Sequence, residues 1–229
     1  IYNEATAAGA VVVGGGWDGQ AVMGNQANGI ASIIGGGQKN VVGADGNYGV
    51  IGGGFSNTAT NIGAVVVGGE LNTASDEDAA VVGGYGNTAA GGGAFIGGGM
   101  GNVITVSAQS GTIGGGVNNV ITTTGPYGTI PGGYQAQASR YGQLAYASGM
   151  FNTPGDAQTS MYVLRNTVLG ANTNELFLDG SSQRLTFPNN GTVVFDILIV
   201  GHNGFGVSAG YQIRGVAENL NGTFSLVGA

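Results

Sequence analysis

A short phrase recurs along the first two thirds of the sequence: an aliphatic residue one or two positions before Gly-Gly, then two variable residues and Asn. Six copies fit it, and successive Asn residues are separated by 17, 15, 15, 15 and 17 positions. A nearly fixed period is typical of one structural unit stacked on itself, so fold and function must both be argued from the stack. The six residues are Asn40, Asn57, Asn72, Asn87, Asn102 and Asn119.

The glycine content allows two alternatives to a folded stack, and the rest of the composition disfavours both. Glycine supplies 50 of the 229 residues. Collagen is excluded because the glycines do not recur at every third position and the chain has 4 prolines. Disorder is disfavoured because charged residues make up 7% and hydrophobic residues 42% of a chain rich in Val, Ile and Ala runs.

Charge and hydropathy limit the partners of the chain. The net charge is −7 with 5 basic residues in total, so no basic patch exists for nucleic acid. No stretch of 18 apolar residues occurs, so we expect no membrane insertion as a helix. Cysteine is absent, which excludes disulfides. Because the sequence begins with Ile1 and not Met, we expect it to be a piece of a longer chain.

One repeat unit, residues 48–63, shows why the stack is predicted to be all-β. Interior glycines disfavour a helix, whereas short Val, Ile, Ala and Thr runs between Gly and Asn indicate strands and turns. Each coil is therefore predicted to have two strands of roughly five residues and two corners. So thin a coil would bury too little on its own, which favours an intertwined homotrimer whose inner strands share a core.

Two other stacked β folds are alternatives for a repeat of about this length. A left-handed β-helix built from hexapeptides has a strict sixfold apolar pattern, which this sequence lacks. A right-handed β-helix of the polysaccharide-lyase type has longer coils with three strands in each. The predicted fold is a short-coil parallel β-roll or β-helix.

The repeat character changes along the chain and predicts three regions. Residues 1–150 form the glycine-rich β-roll shaft, and residues 151–168 form a transition segment. Residues 169–229 form an antiparallel β domain, predicted to be a small sandwich or barrel and to be incomplete. Its predicted strands are 175–178, 183–187, 191–200, 210–217 and 223–227.

The six Asn residues are predicted to form a structural ladder at one corner, bonding backbone groups of their own turn or of the next coil. The alternative is a row of ligands. The glycine runs also resemble nucleotide-binding loops, but no Gly-x-x-x-x-Gly-Lys-Ser/Thr occurs and no helix pattern follows them. No cofactor is predicted.

The Gly-Gly-x-x-Asn phrase over residues 10–150 resembles the β-roll heads of trimeric adhesins and the shafts of phage tail fibres. Residues 141–165 carry Tyr-Gly-Gln, Ala-Tyr-Ala-Ser-Gly, Gly-Asp-Ala-Gln-Thr-Ser and Val-Leu-Arg. That segment resembles one in phage, especially cyanophage, tail fibre and tailspike proteins, just before a C-terminal β domain. The resemblance implies a homotrimer with this domain at the host-facing end.

The function implied is that of a tail fibre or tailspike protein in the virion tail. It would mediate adsorption to a host cell-surface glycan or protein, with envelope polysaccharide the favoured receptor, and would assemble with other virion tail proteins. Two alternatives stay open: a tailspike enzyme that degrades polysaccharide, and a bacterial trimeric adhesin located at the cell surface.

Receptor-binding residues are predicted in the C-terminal domain: His202, Asn203, Tyr211 and Arg214. The alternative for His202, the sole histidine, is an ordinary loop residue. With one His and no Cys, no catalytic residue and no metal site is predicted.

Three further sets of residues have two interpretations each. The exposed aromatics Trp17, Phe55 and Tyr85 would shield the coil edge or stack on sugars. The run 76–78 would be a solvated loop that interrupts a coil, or a cation site. For the enzyme alternative, acids from different chains would meet in trimer clefts. The available acids are Asp156, Glu175, Asp179 and Asp196.

Overall fold

The computed structural model describes residues 2–17, 19–20, 23–167, 174–187, 189–202 and 206–227. The chain divides into two compact units, Ile1–Gln183 and Arg184–Ala229. Every regular element of the described residues is a β-strand, which confirms the all-β class. The first unit extends past residue 169, the predicted start of the C-terminal domain.

Very short strands build the first unit, and eighteen of its twenty strands have two residues. In chain order they are β1 (Glu4–Ala5), β2 (Val11–Val12), β3 (Gln26–Ala27), β4 (Ile33–Ile34), β5 (Val41–Val42), β6 (Val50–Ile51), β7 (Thr58–Ala59), β8 (Val65–Val66), β9 (Thr73–Ala74), β10 (Ala80–Val81), β11 (Thr88–Ala89), β12 (Phe95–Ile96), β13 (Val103–Ile104), β14 (Thr112–Ile113), β15 (Val120–Ile121), β16 (Thr129–Ile130), β17 (Gly133–Tyr134), β18 (Gln137–Ala138), β19 (Leu144–Ser148) and β20 (Gln158–Met161).

These strands stack into a parallel β-solenoid of about 8 turns, as the sequence predicts. Sheet A contains nine strands in the order β1-β3-β5-β7-β9-β11-β13-β15-β18. Sheet B contains the even-numbered strands β2 to β16, followed by β19, with β17 and β20 also paired to β19. Equivalent residues lie in register between coils, as Thr58 does with Thr73 and Val50 with Val65.

A third ladder of single-residue parallel bridges runs along the solenoid, which corrects the prediction of two strands per coil. We call it the bridge ladder; its members are Gln38, Phe55, Glu70, Tyr85, Met100, Val117 and Tyr134. The predicted strand length of roughly five residues is also wrong for β1 to β18. Each coil therefore turns three times and encloses a small three-sided interior.

The core lies inside a single chain. Strands β3 to β16 and β18 each point one residue inward, such as Ala59 from sheet A and Val66 from sheet B, and these residues are fully buried. Ala64 at the corner completes the same coil. The predicted core shared between the inner strands of three chains is not needed to bury these residues, because small Ala, Val and Ile side chains of one chain fill so narrow a coil.

The variation between 15 and 17 residues is confined to the corner that leads from sheet A to sheet B. Five residues separate β7 from β8, whereas seven separate β5 from β6. The longer corner has two successive backbone turns, Gly46 N–H to Gly43 O and Gly49 N–H to Gly46 O, both 3.0 Å. The segment from sheet B to each Asn keeps one length, so register survives the insertion.

Side-chain amides close the C-terminal edge of sheet A. The Gln137 N–H donates to Gln158 Oε1 (2.8 Å), and Gln158 Nε2 donates back to the Gln137 carbonyl (2.9 Å). Gln143 Oε1 accepts the Ser139 N–H at 2.7 Å. On the sheet B side, β20 pairs antiparallel with β19. The edge groups that another coil would use are thus already bonded, which prevents addition of a further strand.

The segments 175–178 and 183–187 are not strands, contrary to prediction. Phe177 makes a single antiparallel bridge with Arg165. The chain then turns around Asp179, whose carboxylate accepts three backbone N–H groups. This local capping competes with a strand ladder.

The second unit contains one antiparallel sheet of three strands, β21 (Gly191–His202), β22 (Ser208–Leu220) and β23 (Thr223–Leu226). The antiparallel prediction is confirmed, but the described residues form a single sheet and not a sandwich or barrel. The register of the cross-strand pairs shows which residues lie on the same face of the sheet. One face is apolar and carries Phe195, Ile197, Ile199, Tyr211, Ile213 and Leu226. The other carries mixed polar and apolar residues.

Candidate functional site

The six Asn residues of the repeated phrase are fully buried inside the solenoid. In each, Nδ2 donates to a glycine carbonyl four residues earlier and to one in the next coil; Asn57 bonds Gly53 and Gly69, both at 2.9 Å. Its Oδ1 accepts the backbone N–H of Asn72 at 3.0 Å. Both donors and the acceptor are used within the stack, which leaves no polar atom of the Asn to contact a ligand.

The Asn ladder is longer than the phrase in the sequence. Asn25 is also buried, and its Nδ2 donates to the carbonyls of Gly14 (3.1 Å) and Gly37 (2.9 Å). Asn3 Oδ1 accepts the Asn25 N–H at 2.9 Å. The repeated phrase does not reveal Asn25, because extra residues separate Gly14 from it, or Asn3, because no Gly-Gly precedes it. At the far end, the ladder stops where the Ala136 N–H donates to Asn119.

The second glycine of each phrase is required by its conformation and by its neighbours. Gly84 has φ +89°, and a Cβ there would overlap the Gly99 carbonyl of the next coil and approach Asn87 Nδ2. The residue before each Asn also has positive φ, as in Lys39 and Leu71. The ladder Asn is therefore selected for its side chain, not for its tolerance of a left-handed backbone.

The predicted receptor residues are distributed over both faces of the second unit's sheet. His202 ends β21, and its Nδ1 lies 3.1 Å from Ser208 Oγ. Arg214 is on the same face and pairs with Asp196 at 2.9 Å. Tyr211 lies on the opposite, apolar face and is 68% exposed. Asn203 lies outside the described residues.

Two of the four acids considered for catalysis serve as turn caps. Backbone N–H groups, chiefly that of Thr153, lower the pKa of Asp156 below its ordinary value. The same cause, led by Ser182, holds the pKa of Asp179 far below its ordinary value. The donors are Phe151, Asn152 and Thr153 for Asp156, and Ser181, Ser182 and Gln183 for Asp179.

Asp196, the third of these acids, also lacks the raised pKa of a proton donor. The side-chain hydrogen bond from Gln212 lowers the pKa of Asp196, and the charge of Arg214 adds to the effect. Glu175 is engaged through its backbone carbonyl, which accepts Asn166 Nδ2 at 2.6 Å. A glycosidase acid has a raised pKa, whereas Asp196, like both turn caps, is held ionised.

The acidic run 76–78 forms an ordinary short corner and does not interrupt a coil, contrary to prediction. Asp76 Oδ1 accepts the Glu77 N–H at 2.9 Å, and Asp78 holds the positive-φ position. An open concavity of about 310 Å³ lies beside Glu77, Asp78 and Gln109. Within the described ranges, no group of three or more His, Cys, Asp or Glu side chains is arranged to hold a metal ion.

Phe55 and Tyr85 project from the bridge ladder, and Trp17 follows Gly16, whose N–H makes the ladder-type bond to Gly37 in the first coil. Trp17 is 60% exposed and Tyr85 is 47% exposed, whereas Phe55 is half-buried. Lys39 Nζ lies 5.2 Å from the centre of the Phe55 ring. These rings lie at the surface, available to solvent and to a ligand.

Comparison with protein-family models and with curated proteins finds no match to this sequence. Among the residues that the structure describes, no helix is long and apolar enough to cross a membrane.

Proposed function

We propose that this chain is part of a homotrimeric phage tail fibre or tailspike that mediates adsorption to the host cell surface. One observation supports this proposal most directly. The solenoid buries its own core, yet one sheet still exposes a row of aliphatic side chains to solvent. Such a surface on a soluble protein marks a contact with another chain. The sequence resemblance to tail fibres provides the biological context, and envelope polysaccharide is the proposed receptor.

Sheet B carries the apolar surface, which we call the sheet B face. Val13 is 72% and Val67 is 55% exposed, although both are aliphatic and lie among other aliphatic residues. The outward apolar residues of the face are Val11, Val13, Ile33, Val50, Val65, Val67, Val82 and Phe95. Sheet A, by contrast, points mainly polar residues outward, such as Thr60 and Ser75, together with the half-buried Val41, Val103 and Val120. This asymmetry between faces selects sheet B as the interface.

The second unit supports the same conclusion. Of its described residues only Ala217 is buried, so this three-stranded sheet lacks a core of its own. Ile213 on its apolar face is 48% exposed. Sheets this small are marginally stable unless they pack against another element. Packing of three copies around a common axis would cover these residues.

Single substitutions on matched faces test the trimer. Light scattering should give three times the chain mass for the parent protein. Val67→Asp should shift it to monomer, because an ionised carboxylate in an apolar interface is strongly destabilising. Ser75→Asp, on the outer face of sheet A, should stay trimeric. A monomeric parent protein would overturn the trimer and the role given to the sheet B face.

Adsorption is tested with labelled trimer on a panel of cyanobacterial cells before and after periodate oxidation of surface sugars. We expect strain-dependent binding that oxidation removes. Binding to no strain would contradict the adsorption role. Newly formed reducing ends would favour the depolymerase instead, although Asp156, Asp179 and Asp196, three of the acids considered for it, have lowered pKa values.

A further inference from the structure

Sheet A points two regular rows of small side chains outward, and we call these rows the sheet A face. The first row contains β-branched residues of six consecutive coils, paired in register from β5 to β15: Val41, Thr58, Thr73, Thr88, Val103 and Val120. The second row lies two residues further along each coil: Gly43, Thr60, Ser75, Ala90, Thr105 and Thr122. All residues of this face are half-buried, as expected for side chains that stand close together in a row.

Strand formation alone does not require such uniform side chains. Sheet B is stacked in the same way, yet its corresponding outward row ranges in size from Ala to Phe: Ile33, Val50, Val65, Ala80, Phe95 and Thr112. Thr and Val, which make up the first row of the sheet A face, are both β-branched and have a restricted χ1 angle. Uniform side-chain shape over six coils is therefore a property of this face and not of the solenoid.

The hydroxyl groups of the sheet A face repeat at fixed distances. Equivalent residues of neighbouring coils lie about 4.8 Å apart, and residues two positions apart along a strand lie about 6.6 Å apart. Among the described residues, the hydroxyls of Thr58, Thr73 and Thr88 have no hydrogen-bond partner, whereas Thr105 Oγ1 donates to the Ile121 carbonyl at 3.1 Å. The hydroxyls at the centre of the first row are thus available to water.

Charge and side-chain size limit what can cover this face. Over strands β5 to β15, all of which belong to the described part of the chain, no outward position of sheet A carries a charge or an aromatic ring. Protein interfaces depend on Trp, Tyr and Arg anchors, and a polyanion requires basic residues. The sheet A face offers neither, so the ligand that fits it is an uncharged and regular lattice.

We propose that the sheet A face binds ice. Both repeats of the face are close to spacings between water oxygens on a prism face of hexagonal ice. Waters that bond to the Thr hydroxyls, between the methyl groups of Thr and Val, then occupy positions that an ice surface continues. Each coil is bonded to both neighbouring coils, as Thr73 is to Asn87 and Thr58 to Asn72, so the array is ordered before it meets ice.

Ice binding goes beyond the proposed adsorption role and does not depend on it. The trimer proposed above would cover sheet B and leave sheet A in contact with solvent. Each trimer would therefore present three such faces, which increases its avidity for one ice crystal.

The test is recrystallisation of ice in frozen sucrose solution that contains the whole protein at micromolar concentration. We expect the crystals to stay small, and we expect slowly grown ice to take up the labelled protein, whereas albumin is excluded. Thr73→Tyr should raise the concentration required about tenfold or more, because its ring separates the neighbouring side chains from the ice surface. Thr88→Lys, which places a hydrated charge in the same row, should have the same effect.

Val117→Tyr is the matched control, because it adds the same ring to the bridge ladder, where Tyr85 and Tyr134 occupy equivalent positions. It should act like the parent protein, and circular dichroism and thermal melts confirm that each variant is folded. Exclusion of the parent from ice, unrestrained crystal growth in its presence, or equal potency of the parent and both sheet A variants would each overturn ice binding. These results leave the adsorption role intact, since adsorption is measured on cells in the absence of ice.

Discussion

At the scale of single residues, the solenoid depends on the pairing of one glycine with one asparagine in each coil. The glycine provides a backbone conformation that other residues resist, and its missing side chain lets the next coil approach. The Asn amide fills the space this creates and bonds two coils at once. The two residues therefore recur together, because the glycine leaves room for the Asn side chain and the Asn amide bonds the glycine carbonyls.

Gly84→Ala should be strongly destabilising. Alanine at φ +89° costs about 1–2 kcal/mol, and its Cβ would overlap the Gly99 carbonyl, so a loss of about 3 kcal/mol in unfolding free energy is expected. Gly83→Ala is the control, since a Cβ at Gly83 has no atom within 4 Å. Chemical denaturation of both variants measures the difference. Equal midpoints would contradict the account of the second glycine.

Stability should fall at acid pH because of the two turn-capping carboxylates. The pKa values of Asp156 and Asp179 are lowered in the folded state. Their contribution is present above the unfolded pKa of about 3.9 and is lost as pH falls through the folded pKa. Thermal melts from pH 6 to pH 2 should show this loss, and Asp179→Asn should reduce its slope. An unchanged slope in the variant would contradict the capping role.

At the scale of elements, corner length and core size vary together. Coils with the short corner place Ala on sheet A and a small residue on the corner, as Ala59 with Ala64 and Ala27 with Ser32 show. Coils with the long corner place Val or Ile on sheet A and Gly on the corner, as Ile104 and Gly111 show. The larger side chain occupies the space that the missing Cβ leaves. A larger residue on sheet A is thus paired with a missing side chain at the corner.

A double-mutant cycle tests this compensation. Gly111→Ala should be destabilising alone, since its Cβ would come within 3.1 Å of Ile104 Cγ2. Ile104→Ala should cost about 2–5 kcal/mol through the cavity it leaves. The double variant should be more stable than the sum of both losses predicts, by about 1 kcal/mol. Additivity would show that corner and core are independent.

Much of the fold could be predicted from the sequence because its period is visible in Gly and Asn. Strand length and the third ladder could not, because two-residue strands show no alternation and a bridge position accepts Phe, Glu or Val. The segment 175–178 is apolar enough to resemble a strand, yet the Asp179 turn that follows it decides its structure. The arrangement of the predicted receptor residues was harder to predict than the fold. Whether Tyr211 and Arg214 share a face of the sheet depends on strand register, which the sequence does not show.

At the scale of the whole molecule, equal spacing of equivalent residues makes the solenoid modular. Deletion of residues 73–87 joins Asn72 to Thr88, which replaces Thr73 in register. The shortened protein should stay folded and lose about 4.8 Å of length. Small-angle scattering measures the change. Deletion of residues 74–87, which removes one residue fewer, is the control. The resulting one-residue shift in register turns inward side chains outward, so this deletion should unfold the neighbouring coils.

The modularity has a genetic consequence. The coils ending at Asn72, Asn87 and Asn102 are each 15 residues long, so 45 nucleotides separate equivalent codons. Recombination between any two such coils keeps both the reading frame and the strand register. A lineage can therefore lengthen or shorten the shaft one coil at a time, without passing through an unfolded intermediate sequence.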